Sequence, residues 1–140
     1  MKHNLILLFA TALVGAATAA AAIAAPPAHV NVTIRHQTHH CHAWASGTGQ
    51  YAAALNLAAA RNATVTITNN DVMPHRLIQK AGPAVRMSGS ASLSRPGAKV
   101  TITFSRPGVY RFMTKAGEDY MKGVHTIGED NVLTMKVTVT

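Results

Sequence analysis

Apolar side chains fall at every second position in segment after segment of this chain, and that spacing decides what it can fold into. Val30, Val32 and Ile34 alternate with Asn31, Thr33 and Arg35, and Val65 and Ile67 alternate with Thr64, Thr66 and Thr68. Val100, Ile102 and Phe104 do the same against Lys99, Thr101 and Thr103, and Leu133, Met135, Val137 and Val139 repeat the pattern near the C-terminus. A period of two sends successive side chains to opposite faces, so each segment predicts a half-buried strand. Asn69-Asn70-Asp71, Ala81-Gly82-Pro83, Arg95-Pro96-Gly97 and Arg106-Pro107-Gly108 stand between them and punctuate turns. Regular short strands so separated predict an all-β sandwich or barrel. Residues 51–61 are alanine-rich and suit a helix on propensity. The spacing of Leu55 and Leu57 by two, with strands on both sides, favours a strand there instead.

The first two dozen residues follow a different logic. Lys2 and His3 precede an apolar run from Leu5 that ends in Ala22-Ile23-Ala24, the small-x-small pattern of a signal-peptidase site. Pro26-Pro27 follows directly. The reading is a signal peptide over residues 1–24 and one domain over residues 25–140, with a periplasmic or secreted destination and no stable membrane insertion after cleavage. The remaining length of roughly 115 residues builds a single core. Lys and Arg number 13 against 5 Asp and Glu, and removing Lys2 leaves 12 against 5. Such an excess points to acidic partners or an anionic membrane surface. Nucleic acid is not expected, because the basic residues are scattered singly and aromatics are too few for stacking.

The chain has one cysteine, Cys41, set in His39-His40-Cys41-His42-Ala43-Trp44. A lone exported thiol has no disulfide partner in its own chain, so it is buried, paired with another molecule or bound to a metal. The three adjacent histidines favour the metal. A buried inert thiol and loose surface binding by the histidine run are the plainer alternatives.

Asn69-Asn70-Asp71-Val72-Met73-Pro74-His75 places a second histidine on a loop just after a strand. The stretch from Thr64 to Ile78 resembles that of cupredoxins, the small copper proteins related to plastocyanin and azurin, which carries their first histidine ligand. Arg106-Pro107-Gly108-Val109-Tyr110-Arg111-Phe112-Met113 and then Tyr120-Met121-Lys122-Gly123 extend the resemblance over most of residues 25–140. It implies a Greek-key β-sandwich of about seven strands, with His75 as a copper ligand. The family's loop also supplies a cysteine and a second histidine; here Met113 and Thr114 stand near the first position and Gly117-Glu118-Asp119 near the second.

A site of that kind needs a soft thiolate, two imidazoles and often a weak axial methionine. Cys41, His42, His75 and Met121 make up such a set in relocated form. His39, His40, His125 or Glu118 is the reserve for any member that fails to reach, and Cys and His suit zinc as well as copper. Trp44 is expected to pack over the end of the sandwich. No phosphate-cradling glycine loop or serine nucleophile is present, and adjacent Cys and His rarely reach the geometry of a thiol nucleophile, so an enzyme is not expected. The expectation is an exported copper protein that transfers single electrons or holds copper, with an acidic redox partner. The alternative is a metal-free β-sandwich interaction module.

Overall fold

A computed structural model describes residues 25–36, 42–47, 50–116 and 132–140. Among these there are eleven strands and no helix: β1 (His29–His36), β2 (His42–Ser46), β3 (Gln50–Ala52), β4 (Ala54–Ala59), β5 (Thr64–Asn69), β6 (His75–Ala81), β7 (Arg86–Gly89), β8 (Ser92–Leu93), β9 (Lys99–Thr103), β10 (Gly108–Ala116) and β11 (Val132–Val139). They form two sheets, ordered β3-β2-β1-β5-β9-β7 and β4-β11-β10-β6-β8. From β4 to β10 every connection passes from one sheet to the other, which makes the fold a Greek-key sandwich. Residues 1–24, the expected signal peptide, lie outside the described residues, and no described helix is long and apolar enough to cross a membrane.

The alternation becomes the core directly. Val32, Ile34, Val65, Ile67, Val100, Ile102, Leu133, Met135, Val137 and Val139 are all buried between the sheets. Each such side chain contributes about 1.5–3 kcal/mol relative to exposure. Phe104 and Tyr110 meet edge to face with centroids 4.8 Å apart. The Tyr110 hydroxyl donates to the Arg106 carbonyl at 2.6 Å and so ties down the Pro107-Gly108 turn. Trp44, fully buried, donates from Nε1 to the Thr134 carbonyl at 2.9 Å and links β2 of one sheet to β11 of the other. At Gly82 (φ +102°) a side chain would place its Cβ 2.7 Å from the Val109 carbonyl oxygen, so the turn after β6 lies hard against β10 only as glycine.

The alanine-rich stretch is strand, as β3 and β4. Leu55 and Leu57 are half-buried, and β4 runs parallel to β11 from Ala54↔Thr134 to Ala59↔Val139, a ladder that overrides helix propensity. The strand count exceeds the expected seven because β2, β7 and β8 carry no alternation and the alanine-rich stretch makes two strands. β8 has two residues, and β2 buries His42, Ala43 and Trp44 in succession.

Candidate metal centre

Two parallel strands deliver their ends to one place. β1 and β5 pair in register from His29↔Thr64 to Ile34↔Asn69, so His36, two residues beyond Ile34, and Asp71, two beyond Asn69, arrive together. β2 begins there with His42, paired with His36. β6 begins there with His75, paired with Ala116 at the end of β10. Four chemically active side chains thus share one end of the sandwich through register alone.

The loop that carries Asp71 is held by its neighbour. Asn69 is fully buried, and its Nδ2 donates to the carbonyls of Met73 and Leu93, both at 2.9 Å, while its Oδ1 accepts from the Asp71 amide at 2.9 Å. The Asn70 amide donates to the Ile34 carbonyl at 2.8 Å, which closes the loop onto β1. Each polar atom of the Asn69 amide group is therefore used to shape the turn, in keeping with the local bonding that favours Asn and Asp in such places.

Asp71 is the hub. Its Oδ2 accepts from His42 Nδ1 and from His75 Nε2, the latter at 3.1 Å. Its Oδ1 accepts from the Met73 amide at 3.1 Å and faces His36 Nδ1 at 3.7 Å. The His42 and His75 rings stand perpendicular (87°) with centroids 4.8 Å apart, and His36 and His42 lie 5.9 Å apart. Asp71 and His75 are 0% exposed and His42 2%, whereas the His36 side chain is 56% exposed at the rim.

Burial pushes the Asp71 carboxyl upward, but the Met73 amide and the two imidazole hydrogen bonds outweigh it and hold the group below its ordinary range. Burial pushes His75 below its ordinary value, and the bond to Asp71 only partly opposes this. At neutral pH the carboxylate is thus an acceptor and the His75 ring is neutral. A carboxylate can only accept, so His75 carries its proton on Nε2 and has a bare lone pair on Nδ1. That Nδ1 is buried with no hydrogen-bond partner among the described residues.

A second orphan lies close by. Thr114 is fully buried, and its Oγ1 also lacks a partner among the described residues. Thr114 pairs with Leu77 and Ala116 with His75, so Thr114 and His75 are diagonal neighbours on the inward face, about 7–8 Å apart along the backbone. Of the neighbours Met113 and Thr114, Thr114 is the one that faces inward; Met113 points outward, half-buried. Native proteins rarely leave buried polar atoms unpaired, so each of the two calls for a partner outside the described residues.

The donor set fits a borderline transition metal. The ligand atoms of His36, His42 and Asp71 lie within 4.8 Å of one another, and the centroid of the His75 ring stands 4.8 Å from that of His42. Imidazoles suit copper and zinc, and a carboxylate makes the set harder than a thiolate would. Of the four residues expected from the sequence, the structure brings His42 and His75 together. Cys41 and Met121 lie outside the described residues, as do His39, His40, His125 and Glu118. Cys41 is the residue next to His42, and Met121 belongs to the segment that leaves Ala116 and returns at Val132, paired with Lys115. His36 and Asp71 were not legible as site residues. The one available signal was that Asp71 is the sole acid outside 118–130, four residues before a histidine, in a strongly basic chain.

No family model matches the sequence, and no curated protein does. Among solved structures the chain is similar to a cysteine protease inhibitor from Entamoeba histolytica, at 10% identity over 81% of this chain and 99% of that one, with a TM-score of 0.44. It is similar to a purple cupredoxin from Nitrosopumilus maritimus at 22% identity over 79% and 98%, with a TM-score of 0.43. A reduced amicyanin variant follows at 17% identity over 79% and 82%, with a TM-score of 0.42. At these identities no ligand or residue role transfers, and function is read from the side chains.

Proposed function

We propose that this chain is an exported, cupredoxin-like copper protein, not an enzyme, that carries single electrons or holds copper at the end of the sandwich where His36, His42, Asp71 and His75 meet. One observation carries the reading: His75 Nδ1 is a buried lone pair with no partner among the described residues, with its ring fixed by Asp71 and perpendicular to a second buried imidazole. His42 and His75 are the imidazole ligands, and Asp71 orients both rings. Cys41 and Met121 supply the soft donors. Copper so held supplies one-electron chemistry, since a mixed nitrogen and sulfur set accommodates both oxidation states. The protein's part is to exclude water and keep the imidazoles in place. Export puts it in the periplasm or outside the cell, where an acidic redox protein meets its basic surface.

Metal analysis of protein from its native compartment, followed by copper titration, tests this. The expected result is about one copper per chain with an intense thiolate-to-copper band that Cys41→Ser removes. His75→Ala should weaken binding strongly, and acid should do the same as imidazoles protonate. Copper bound without an intense band would leave the imidazole and carboxylate donors as the site and remove Cys41 from it. Stoichiometric zinc, or no metal at all, would overturn the copper reading; the latter leaves the metal-free interaction module.

A further inference from the structure

The two outer faces of the sandwich are built on opposite rules. On the six-stranded sheet, β5 and β9 oppose Thr64 to Thr103, Thr66 to Thr101 and Thr68 to Lys99. Thr66 and Thr101 share a hydroxyl hydrogen bond of 3.0 Å, and Arg86 also faces a threonine. No cation there stands directly across from another. On the five-stranded sheet, Arg76 lies directly opposite Lys115, and Arg111 directly opposite Lys136. Lys80 joins Arg111 and Lys136 around a groove of about 500 Å³ floored in part by Leu55 and Met113.

Directly opposed like charges destabilise a sheet. Nothing among the described residues relieves this face: none of its five cations makes an ion pair or side-chain hydrogen bond, and the only described acid, Asp71, is buried at the end of the molecule. The same chain avoids the arrangement on its other sheet. Among the described residues this face repels itself, and a partner of opposite charge would relieve it.

We infer that the outer face of β11, β10 and β6 is a docking surface for an acidic protein partner, with carboxylates engaging Arg76, Lys80, Arg111, Lys115 and Lys136 around a small apolar centre. Charge complementarity selects the partner's sign, and the face selects its class. It has no aromatic side chain on which bases could stack. Of its larger apolar members, Ile78, Met113 and Val132 are half-buried and only Val109, near the start of β10, is exposed, so the face carries no contiguous apolar wedge for a bilayer. The cationic patch spans roughly 10 Å across three strands and 14 Å along β10, the scale of a transient encounter, so affinity should be modest and strongly salt-dependent.

The inference is independent of the metal centre, and metal-free protein should bind as well as copper-loaded protein. The test measures binding of poly-L-glutamate, phosphatidylglycerol vesicles and duplex DNA at low and physiological salt. Wild type should bind polyglutamate best and lose it with salt. Lys136→Glu should weaken binding about tenfold while raising the melting temperature, because it turns Arg111 and its neighbour into an opposite-charge pair. Lys115→Glu should behave alike against Arg76, and Lys99→Glu on the other sheet should change binding less than about twofold. Equal losses from Lys99→Glu and Lys136→Glu would reduce the effect to net charge and overturn the docking face. Vesicles or DNA bound more tightly than polyglutamate through the same residues would overturn the acidic-protein assignment.

Discussion

The middle of the sandwich and the inner part of its histidine end are both buried, yet they treat polar atoms in opposite ways. In the middle, the two large side chains with polar tips are both satisfied: Trp44 donates to Thr134 and Tyr110 to Arg106. At the end, Asp71, His42, His75 and Thr114 are withdrawn from solvent together, and two of their polar atoms have no partner among the described residues. Burying polar groups without full pairing costs stability, so among the described residues the end holds the fold less well than the middle does. Departures from an otherwise consistent design concentrate where function is placed, and here the departure coincides with the meeting of β1, β2, β5, β6 and β10.

The largest effect that can break this division is a cavity in the middle. Phe112 is 2% exposed and packs with Phe104 at a centroid distance of 6.3 Å. Phe112→Ala should cost about 3–5 kcal/mol in urea unfolding, a large share of what such a domain has. The surviving folded fraction should keep its copper affinity within about threefold if core and centre are separate as drawn. A parallel collapse of affinity would show that the aromatic core positions the histidines.

Asp71→Asn sharpens the other side. The amide keeps the shape and loses the charge that fixes both rings, so copper affinity should fall about 10–100-fold with the fold retained. Nitrogen-detected NMR of the metal-free protein should show His75 protonated at Nε2 before the substitution and a mixture of tautomers after it. Unchanged tautomers would remove Asp71 from its orienting role.

How far the sequence disclosed each region follows from the same contrast. The middle was legible because its strands are exposed on one side, so Val30 to Ile34, Thr64 to Thr68 and Leu133 to Val139 display the alternation. β2 escaped because three successive residues are buried and nothing alternates. At the end, His75 was legible from its turn and His42 from the cluster around Cys41. Asp71 and His36 were not, because their meeting depends on β1 and β5 lying parallel and in register, a long-range fact no local spacing carries. Thr114 likewise became a site-facing residue only through its pairing with Leu77 in β6, beside a register shift at Arg111/Phe112.

Acid gives a smaller, graded test of the polar end. His75 is held below its ordinary value of 6.5 and Asp71 below 3.8. As pH falls through the first value the unfolded chain takes up a proton that folded His75 refuses, and through the second it takes up one that folded Asp71 refuses. Uptake by the unfolded state alone favours unfolding, so stability is full above these windows and declines as pH falls through them. Thermal melts of metal-free protein from about pH 7.5 to about pH 4.5 should show the decline starting near the histidine value, with a shallower upper part in His75→Asn. A flat profile would mean the ring is as easily protonated inside as outside.

The smallest effect separates an idle hydroxyl from a working one. Thr114→Val keeps the volume and β-branching and removes only Oγ1, the atom with no partner among the described residues. Where a buried polar atom is unpaired, its replacement by an apolar one of the same shape is neutral or stabilising, so the metal-free protein should gain up to about 1 kcal/mol, or roughly 4–8 °C in melting temperature. A loss instead would show that the hydroxyl has a partner such as ordered water. Copper titration of the same variant carries the argument one step further, because Thr114 sits diagonally from His75 on the inward face. Affinity equal to wild type would confine the centre to the histidines and Asp71 with the chain segments beyond them. A fall in affinity without a fall in stability would place the hydroxyl inside the centre, and the polar end of the sandwich would then include β10.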